Sequence, residues 1–287
     1  MKYSFCKFTR NALAIVFILS FSSVYSQSLL YSVTGNGLKH PAYIYGTIHA
    51  LPQSDFFMDE QVIEKLGEAQ KVVLEIDMSN PSMVMEVQAA MMMKDNSIDK
   101  LISADDYTRL QQFFADSLQI PIEMVKQVKP LMISSFLLLK LIGEPLASYE
   151  AFFVQKAMEL GKPLDGLETV AEQIGYMDKI PLSQQAKMLV TSIDDFEESR
   201  IEFKNLVAAY KSREVEKIYS VMMETSVEYK EFGEYLIDAR NKNWIPKIVD
   251  FANQQITFIA VGCGHLGGGN GVLDLLRNLG YTVERID

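Results

Sequence analysis

Two of the three histidines of this chain stand in the same local setting. His49 closes the segment 46–49 and His265 closes the segment 262–265, so each belongs to a Gly-x-x-His pattern at or just past the end of a predicted strand. Glycine lets the backbone turn sharply or approach a ligand closely. Histidine titrates near neutral pH and is the commonest metal ligand in proteins. The two patterns therefore predict one polar site that contains both imidazoles.

Glu75 is the third candidate, because it lies in an apolar segment, residues 71–77, that alternates like a strand. A carboxylate in such a strand is costly unless it is paired or has a function. Asp77 shares its face and is expected to be a solvated or hydrogen-bonded residue at the strand end. Two imidazoles and one or two carboxylates, the second being Asp77, could bind a divalent cation with an open position for water. They could equally carry out acid–base chemistry without a metal, or have structural roles.

The strands that must position these residues gather at the two ends of the chain. Strand patterns cover residues 29–33, 42–48, 71–77, 163–167, 256–261 and 281–286. The segments between them have helical periodicity, which predicts an α/β fold with a central mixed sheet formed by the N- and C-terminal strands and flanked by helices. A large helical insertion, roughly residues 80–255, separates the two halves of the sheet. Ligands bind beyond the carboxyl ends of strands in such sheets, which is where both histidines fall.

Residues 1–26 are predicted to be a signal peptide rather than part of the fold. Lys2, Lys7 and Arg10 form a basic region, and residues 12–21 form an apolar run too short to span a bilayer comfortably. Cleavage is expected after Ser26, with an uncleaved anchor as the alternative. The domain then covers residues 27–287 and is exported, either to the periplasm or to the cell surface and medium.

Charge and cysteine content restrict the partners of the mature chain. Cleavage would remove three of the 27 Lys and Arg and none of the 37 Asp and Glu, so the net charge would become −13. This balance disfavours nucleic acid and anionic membrane surfaces as partners. Cleavage would also remove Cys6 and leave Cys263 alone, so no internal disulfide is expected and the hydrophobic core must stabilise the fold.

Five segments recur in the order of a known family. They are residues 45–52 (YGTIHALP), 72–77 (VVLEID), 161–169 (GKPLDGLET), 239–244 (ARNKNW) and 261–266 (VGCGHL). Together they resemble the signatures of the TraB/GumN family, which includes the PrgY and TIKI proteins. The resemblance covers the chain from about residue 29 to residue 286. Cys263 stands where alanine is more usual, and Gly267 with Gly268 replaces a pair that often contains proline, but neither departure removes a site residue.

This resemblance implies an α/β fold related to erythromycin-esterase-like and ChaN-like proteins. It also implies an active site in which His49, Glu75 and His265 are metal ligands or catalytic residues. TIKI-type members are regarded as metal-dependent peptidases that favour manganese or cobalt. Arg240 and Asn241, in the fourth segment, become further site candidates. Arg240 could stabilise an oxyanion or form a salt bridge to a carboxylate such as Glu168.

The leading functional hypothesis is an exported hydrolase, specifically a metal-dependent peptidase that acts on a peptide or small molecule. One alternative is a non-catalytic protein that binds peptides or haem-like ligands in the same pocket. Another is a metal-free esterase with histidine as the base. No stable membrane span is expected after cleavage, because the apolar segment 131–141 is too short to be one.

Overall fold

A six-stranded mixed sheet forms the centre of the molecule, in agreement with the predicted fold class. The computed structural model describes residues 27–143, 145–224 and 231–287. Its strands are β1 Leu30–Thr34, β2 Ala42–Thr47, β3 Leu51–Pro52, β4 Lys71–Ile76, β5 Leu146–Ala147, β6 Leu164–Glu168, β7 Thr257–Gly262 and β8 Thr282–Arg285. The order across the sheet is β6-β4-β7-β2-β1-β8, while β3 and β5 form a separate antiparallel pair.

The four strands β6, β4, β7 and β2 run parallel to one another, so their carboxyl ends share one edge. On the far side of β2, β1 pairs antiparallel with β2 and β8 pairs antiparallel with β1, so β8 runs in the same direction as the four parallel strands. Every residue of β2 and β7 is buried, which explains why their sequences are nearly continuous apolar runs. β8 lies at the edge, and its residues alternate between exposed and half-buried. The six predicted strands each match an observed strand of this sheet to within about two residues at either end.

Helices cover the sheet and extend beyond its carboxyl edge. They are α1 Glu60–Glu68, α2 Met83–Ala90, α3 Ala104–Phe113, α4 Pro130–Ile142, α5 Tyr149–Glu159, α6 Val170–Met177, α7 Leu182–Asp194, α8 Phe196–Lys211, α9 Val215–Glu224, α10 Ala239–Gln254 and α11 Val272–Asn278. Two wider π-helical turns, Phe114–Leu118 and Phe232–Asp238, continue α3 and precede α10. Local signals account for several starts: the Ser103 hydroxyl accepts the Asp106 amide at α3, and Thr169 with Glu172 forms a capping box at α6.

The helical region between the sheet halves is divided by β6, which pairs with β4. The segments on the two sides of β6 share a second apolar cluster, separate from the core on the sheet. It includes Phe114, Ile133 and Leu189. Part of the insertion thus has a core of its own, while α5, α8, α9 and α10 contribute residues to the core on the sheet; the helical part of the insertion is called the helical lobe. Along the described ranges, no helix is both long and apolar enough to cross a bilayer.

The first helix, α1, begins later than the local sequence pattern indicates. The sequence from Asp55 onward resembles a helix start, but a short 3₁₀ turn at Gln53–Asp55 is followed by extended backbone, and α1 starts only at Glu60. The cause is tertiary packing: Phe56 lies 4.7 Å from the ring of Tyr149 between centroids. We attribute the extended backbone at Phe56 to this aromatic contact, which outweighs the local helical signal.

Candidate functional site

The shared carboxyl edge of the parallel strands collects the polar residues. Thr47 and Gly262 end neighbouring strands and are paired in register, and Glu168 ends β6 at the other side of β4. Glu75 is the penultimate residue of β4. His49 follows β2 by two residues, and His265 lies in the single 3₁₀ turn Cys263–His265 after β7. The topology therefore brings both Gly-x-x-His patterns and the glutamate to one place.

Both histidines face the same carboxylate oxygen. The Nε2 atoms of His49 and of His265 each lie 3.9 Å from Oε1 of Glu75. That oxygen also accepts the backbone N–H of Gly262 at 2.8 Å. A separation of 3.9 Å is too long for a direct hydrogen bond and short enough for one bridging atom.

Arg240 is the centre of a buried ion-pair network. Its Nη2 lies 2.5 Å from Oε2 of Glu75 and 2.6 Å from Oε1 of Glu168, and its Nε lies 2.9 Å from the same Glu168 oxygen. Its Nη1 donates to the Leu236 carbonyl at 3.0 Å and to Nε2 of His265 at 3.1 Å. These contacts use all five N–H groups of the guanidinium. The arrangement matches the salt-bridge alternative for Arg240 and leaves none of its donors for an oxyanion.

The tautomer of His265 follows from its neighbours. Asn241 donates through Nδ2 to the Asn270 carbonyl at 2.8 Å, so its Oδ1 accepts Nδ1–H of His265 at 2.7 Å. The Nε2 of His265 is therefore unprotonated and accepts from Arg240. Burial, together with the charge of Arg240, lowers the pKa of His265 to about 3, so this ring is neutral at physiological pH. The indole of Trp244 packs against it at 4.4 Å between ring centroids.

His49 has the opposite character. Desolvation by the walls of the cleft lowers the pKa of His49, but a hydrogen bond to Glu150 and the charges of Glu75 and Glu150 outweigh this and raise that pKa to about 9. Its Nδ1 lies 2.9 Å from Oε1 of Glu150, and 62% of its side-chain surface remains open to the adjoining cleft. His49 is therefore an imidazolium at neutral pH, with Nε2–H turned toward Glu75.

Glu150 is a site residue that the sequence reasoning missed. Its Oε1 accepts from Thr47 at 2.9 Å and its Oε2 from Ser148 at 3.0 Å, so the carboxylate that orients His49 is itself fixed. The local sequence gives no such signal. Ser148 caps α5 through the amide of Ala151, and an acid in the first turn of a helix ordinarily stabilises the helix dipole.

The two carboxylates beneath the histidines, Glu75 and Glu168, are held in place by hydrogen bonds and ion pairs. Burial raises the pKa of Glu75, but the charges of Arg240 and His49, together with the hydrogen bond from the backbone N–H of Gly262, outweigh it and leave that pKa well below its ordinary value. Glu168 accepts the indole N–H of Trp244 at 3.1 Å through Oε2 and the amide of Gln173 at 3.0 Å through Oε1. Gln173 lies 3.4 Å from Glu75 as well. Asp77 lies outside this network, where it accepts from Ser79.

A cavity of about 320 Å³ lies above these residues and is bounded by the helical lobe. His49, Arg240, Gly262 and His265 line its base. Gly262 has φ −52° and ψ 131°, a conformation open to any residue, so backbone strain does not require glycine there. A Cβ at this position would lie 3.3 Å from Oε1 of Glu75 and 3.5 Å from Nε2 of His49. The missing side chain keeps open the space between the two histidines and the glutamate.

The fit of a divalent cation to these residues is partial. Each Nδ1 is held by an oxygen acceptor, the usual way in which proteins present Nε2 to a metal. The lone pair of His265 Nε2, however, already accepts from Arg240. Within the described part of the chain, no group of three His, Cys, Asp or Glu side chains is arranged to hold a metal ion. A cation would therefore require Arg240 to withdraw from His265.

The fold and the site together define an α/β protein with a histidine–glutamate centre under a helical lobe. The model of the TraB/PrgY/gumN family matches residues 29–285, nearly the whole chain, and the protein belongs to this family. The resemblance found in the five sequence segments is thereby confirmed. Searches of curated proteins and of solved structures gave no match.

Proposed function

We propose that this protein is a hydrolase that uses His49 and Glu75 to add water to the carbonyl group of an ester or amide. The observation that carries the proposal is the position of the two Nε2 atoms, each 3.9 Å from one oxygen of Glu75, at the base of a cavity. Gly262 lines the cavity, and a Cβ on it would lie 3.3 Å from this oxygen, so the space that the glycine leaves lies between the oxygen and the cavity. A water molecule there can bridge Glu75 Oε1 and His49 Nε2.

The protonation states divide the chemical roles. Glu75 is ionised and accepts a proton from the water molecule while the oxygen of that water attacks the carbonyl carbon. His49 is protonated and donates its Nε2 proton to the leaving group as the bond to the carbonyl carbon breaks. Transfer of the proton from Glu75 to His49, through a second water, restores both groups. The net reaction consumes one water and yields a carboxylic acid with an alcohol or amine.

The remaining residues position this pair. Arg240 forms ion pairs with Glu75 and Glu168 and fixes the Glu75 carboxylate from behind through Oε2. Asn241 holds the tautomer of His265, and His265 in turn accepts from Arg240. Both residues therefore act through Arg240 and Glu75 rather than on the substrate. This assignment differs from the oxyanion role considered for Arg240 from the sequence.

A metal-dependent peptidase is the second candidate, favoured by the common distance of the two histidines from Glu75. His49, Glu75 and His265 would hold the cation, with manganese or cobalt as the expected metals. A bound cation would supply an activated water at neutral pH. Binding would require loss of the His49 proton, so metal uptake would release protons in proportion to occupancy.

Export is part of the proposal. Residues 1–26, on which the predicted signal peptide falls, lie outside the described residues. The support is the basic region followed by the apolar run 12–21, which is typical of signal peptides. Expression in a bacterial host followed by fractionation and N-terminal sequencing tests it. A mature protein that starts at Gln27 and is found outside the cytoplasm agrees with the proposal, whereas an intact N-terminus in the cytoplasm contradicts it.

The hydrolase assignment is tested with His49→Ala, Glu75→Gln and Lys242→Ala, the last a matched control on α10 that faces away from the network. Nitrophenyl esters and short peptides serve as substrates, and circular dichroism monitors folding. General acid–base groups contribute about 10²–10⁴-fold, so the first two variants should lose at least about 100-fold in kcat/KM while the control does not. Full activity in a folded His49→Ala protein would contradict the assignment, and ligand binding without turnover would favour a binding protein.

A further inference from the structure

The walls of the site cavity are almost entirely apolar. One apolar side chain comes from the loop after β2 and five come from different helical elements of the lobe. They are Ile48, Leu131, Met177, Leu206, Ile218 and Leu236. Cys263 also lines the cavity, and burial keeps the pKa of its thiol far above the ordinary value, so it presents a neutral, weakly polar surface. The cavity lies at the small end of the range for ligand pockets, roughly 300–1,000 Å³.

Apart from His49, the hydroxyl, amide and guanidinium side chains around this cavity donate their hydrogens to other protein groups. Thr47 donates to Glu150 at 2.9 Å, and Tyr210 donates to the Gly46 carbonyl at 3.0 Å. The amide of Gln173 donates to Glu168 at 3.0 Å, and Arg240 uses every N–H in the network described above. A peptide backbone placed among these groups would bury carbonyl oxygens without donors, which is costly. An aliphatic chain has no such requirement.

The charged residues that line the cavity also favour an uncharged, apolar ligand. Among the described residues that line the cavity, the charged groups are His49 and Arg240. Arg240 is already neutralised by two carboxylates, and His49 lies at the base, where the reaction takes place. The walls therefore offer no counter-ion to a charged substrate body. A substrate fits best when its single polar group is at the base and its remainder is uncharged and apolar.

We infer that the substrate is an ester of an aliphatic carboxylic acid, whose acyl chain occupies the cavity while its carbonyl carbon lies between His49 and Gly262. This inference rests on the proposed hydrolase function. Water addition forms the new carbon–oxygen bond, the bond to the alcohol oxygen breaks, and that oxygen takes the proton of His49. The products are the free alcohol and the fatty acid, and no further reactant is consumed.

The acyl length preference is measured with nitrophenyl esters from acetyl to dodecanoyl. Each methylene that enters the cavity should raise kcat/KM about fourfold until the chain fills it. Methyl ketones of the same lengths, which carry the carbonyl but no leaving group, are measured separately by calorimetry on the wild-type protein. Their affinity should rise with length in parallel with the esters.

Variants of α8 locate the effect in the cavity. Leu206 lines it, whereas Ile201 on the same helix is 60% exposed. Leu206→Trp should lower the ratio of decanoyl to acetyl ester kcat/KM by roughly tenfold or more, the equivalent of about two methylenes. Ile201→Trp, the matched control, should leave that ratio unchanged. An equal ratio in Leu206→Trp and wild type would overturn the inference.

The ester and ketone series separate the two levels of the proposal. If ketone affinity rises with length but no ester or peptide is hydrolysed, the cavity recognises the aliphatic chain and the proposed hydrolase function is wrong. Ester hydrolysis without length dependence, or faster cleavage of peptides than of every ester, would retain the hydrolase and overturn the acyl substrate. Absence of both activities would overturn the two together.

Discussion

Replacing Gly262 with alanine probes the space in which water is proposed to react. The added Cβ would lie 3.3 Å from Oε1 of Glu75, 3.5 Å from Nε2 of His49 and 3.6 Å from Cδ2 of His265. It would therefore stand among the atoms that a bridging water must contact. The backbone at φ −52° accommodates alanine, so the change acts on space alone.

The expected losses in rate and in stability differ widely. Removing the shared water removes general base catalysis, so kcat/KM should fall by about 10²–10⁴-fold. The tight 3.3 Å contact requires a shift of a few tenths of an ångström, a cost of about 1 kcal/mol at the lower end of overpacking. For a domain of this size that lowers Tm by roughly 2–4 °C.

The assay combines ester kinetics with thermal unfolding followed by circular dichroism. Gly269→Ala is the matched control, because a Cβ at Gly269 would contact nothing within 4 Å. The gain in methyl ketone affinity per added methylene should be the same in Gly262→Ala as in wild type, since the apolar walls are intact. Wild-type turnover by a folded Gly262→Ala protein would refute the view that this space holds the reacting water.

Three further results are expected. Because His49 must be protonated to donate, kcat should be constant through neutral pH and fall as pH rises through about 9, whereas a histidine base would give a rise over the same range. Glu150→Gln removes a charge that raises the pKa of His49, so the alkaline fall should move to lower pH; an unmoved profile would show that Glu150 does not control this proton. Arg240→Ala leaves two buried carboxylates unpaired and should cost about 3–5 kcal/mol of unfolding free energy, against about 1 kcal/mol or less for the exposed pair in Arg277→Ala; equal effects in denaturant titrations would contradict the network.

The strands could be predicted because burial of a strand determines which of its residues must be apolar. A strand covered on both faces must be apolar throughout, as β7 is, and a parallel sheet places strand ends at one edge. Those two rules suffice to predict that His49, Glu75 and His265 come together. His49 and His265 each end a Gly-x-x-His pattern at a strand end. His40, in the loop before β2, has no such pattern, so the sequence distinguishes it from the two site histidines.

The partners of these residues were harder to predict, because they come from distant parts of the chain. Glu150 meets His49 across 101 positions, and Arg240 meets Glu75 across 165. A glutamate in the first turn of a helix and an arginine on an amphipathic helix are both ordinary surface patterns. Only the packing of α5 and α10 against the sheet gives them other roles. The late start of α1 has the same origin, since aromatic contacts outweighed a local helical signal.

The role of Gly262 illustrates a further limit of sequence reasoning. A glycine at a strand end indicates either an unusual backbone angle or a close approach, and the sequence cannot distinguish them. The angles at Gly262 are ordinary, and the atoms nearest to its missing side chain belong to Glu75 and the two histidines. The glycine is therefore explained by the site and not by the fold.

The most direct test of the central claim is the rate of ester hydrolysis by metal-stripped wild-type protein beside metal-stripped His49→Ala, with metal content measured by elemental analysis. Hydrolysis by His49 and Glu75 predicts that the stripped wild type keeps its turnover and that the folded variant loses at least about 100-fold. Loss of turnover on stripping, restored by stoichiometric manganese or cobalt, would contradict the metal-free mechanism. Equal rates in the two stripped proteins would contradict any role of His49 in the reaction.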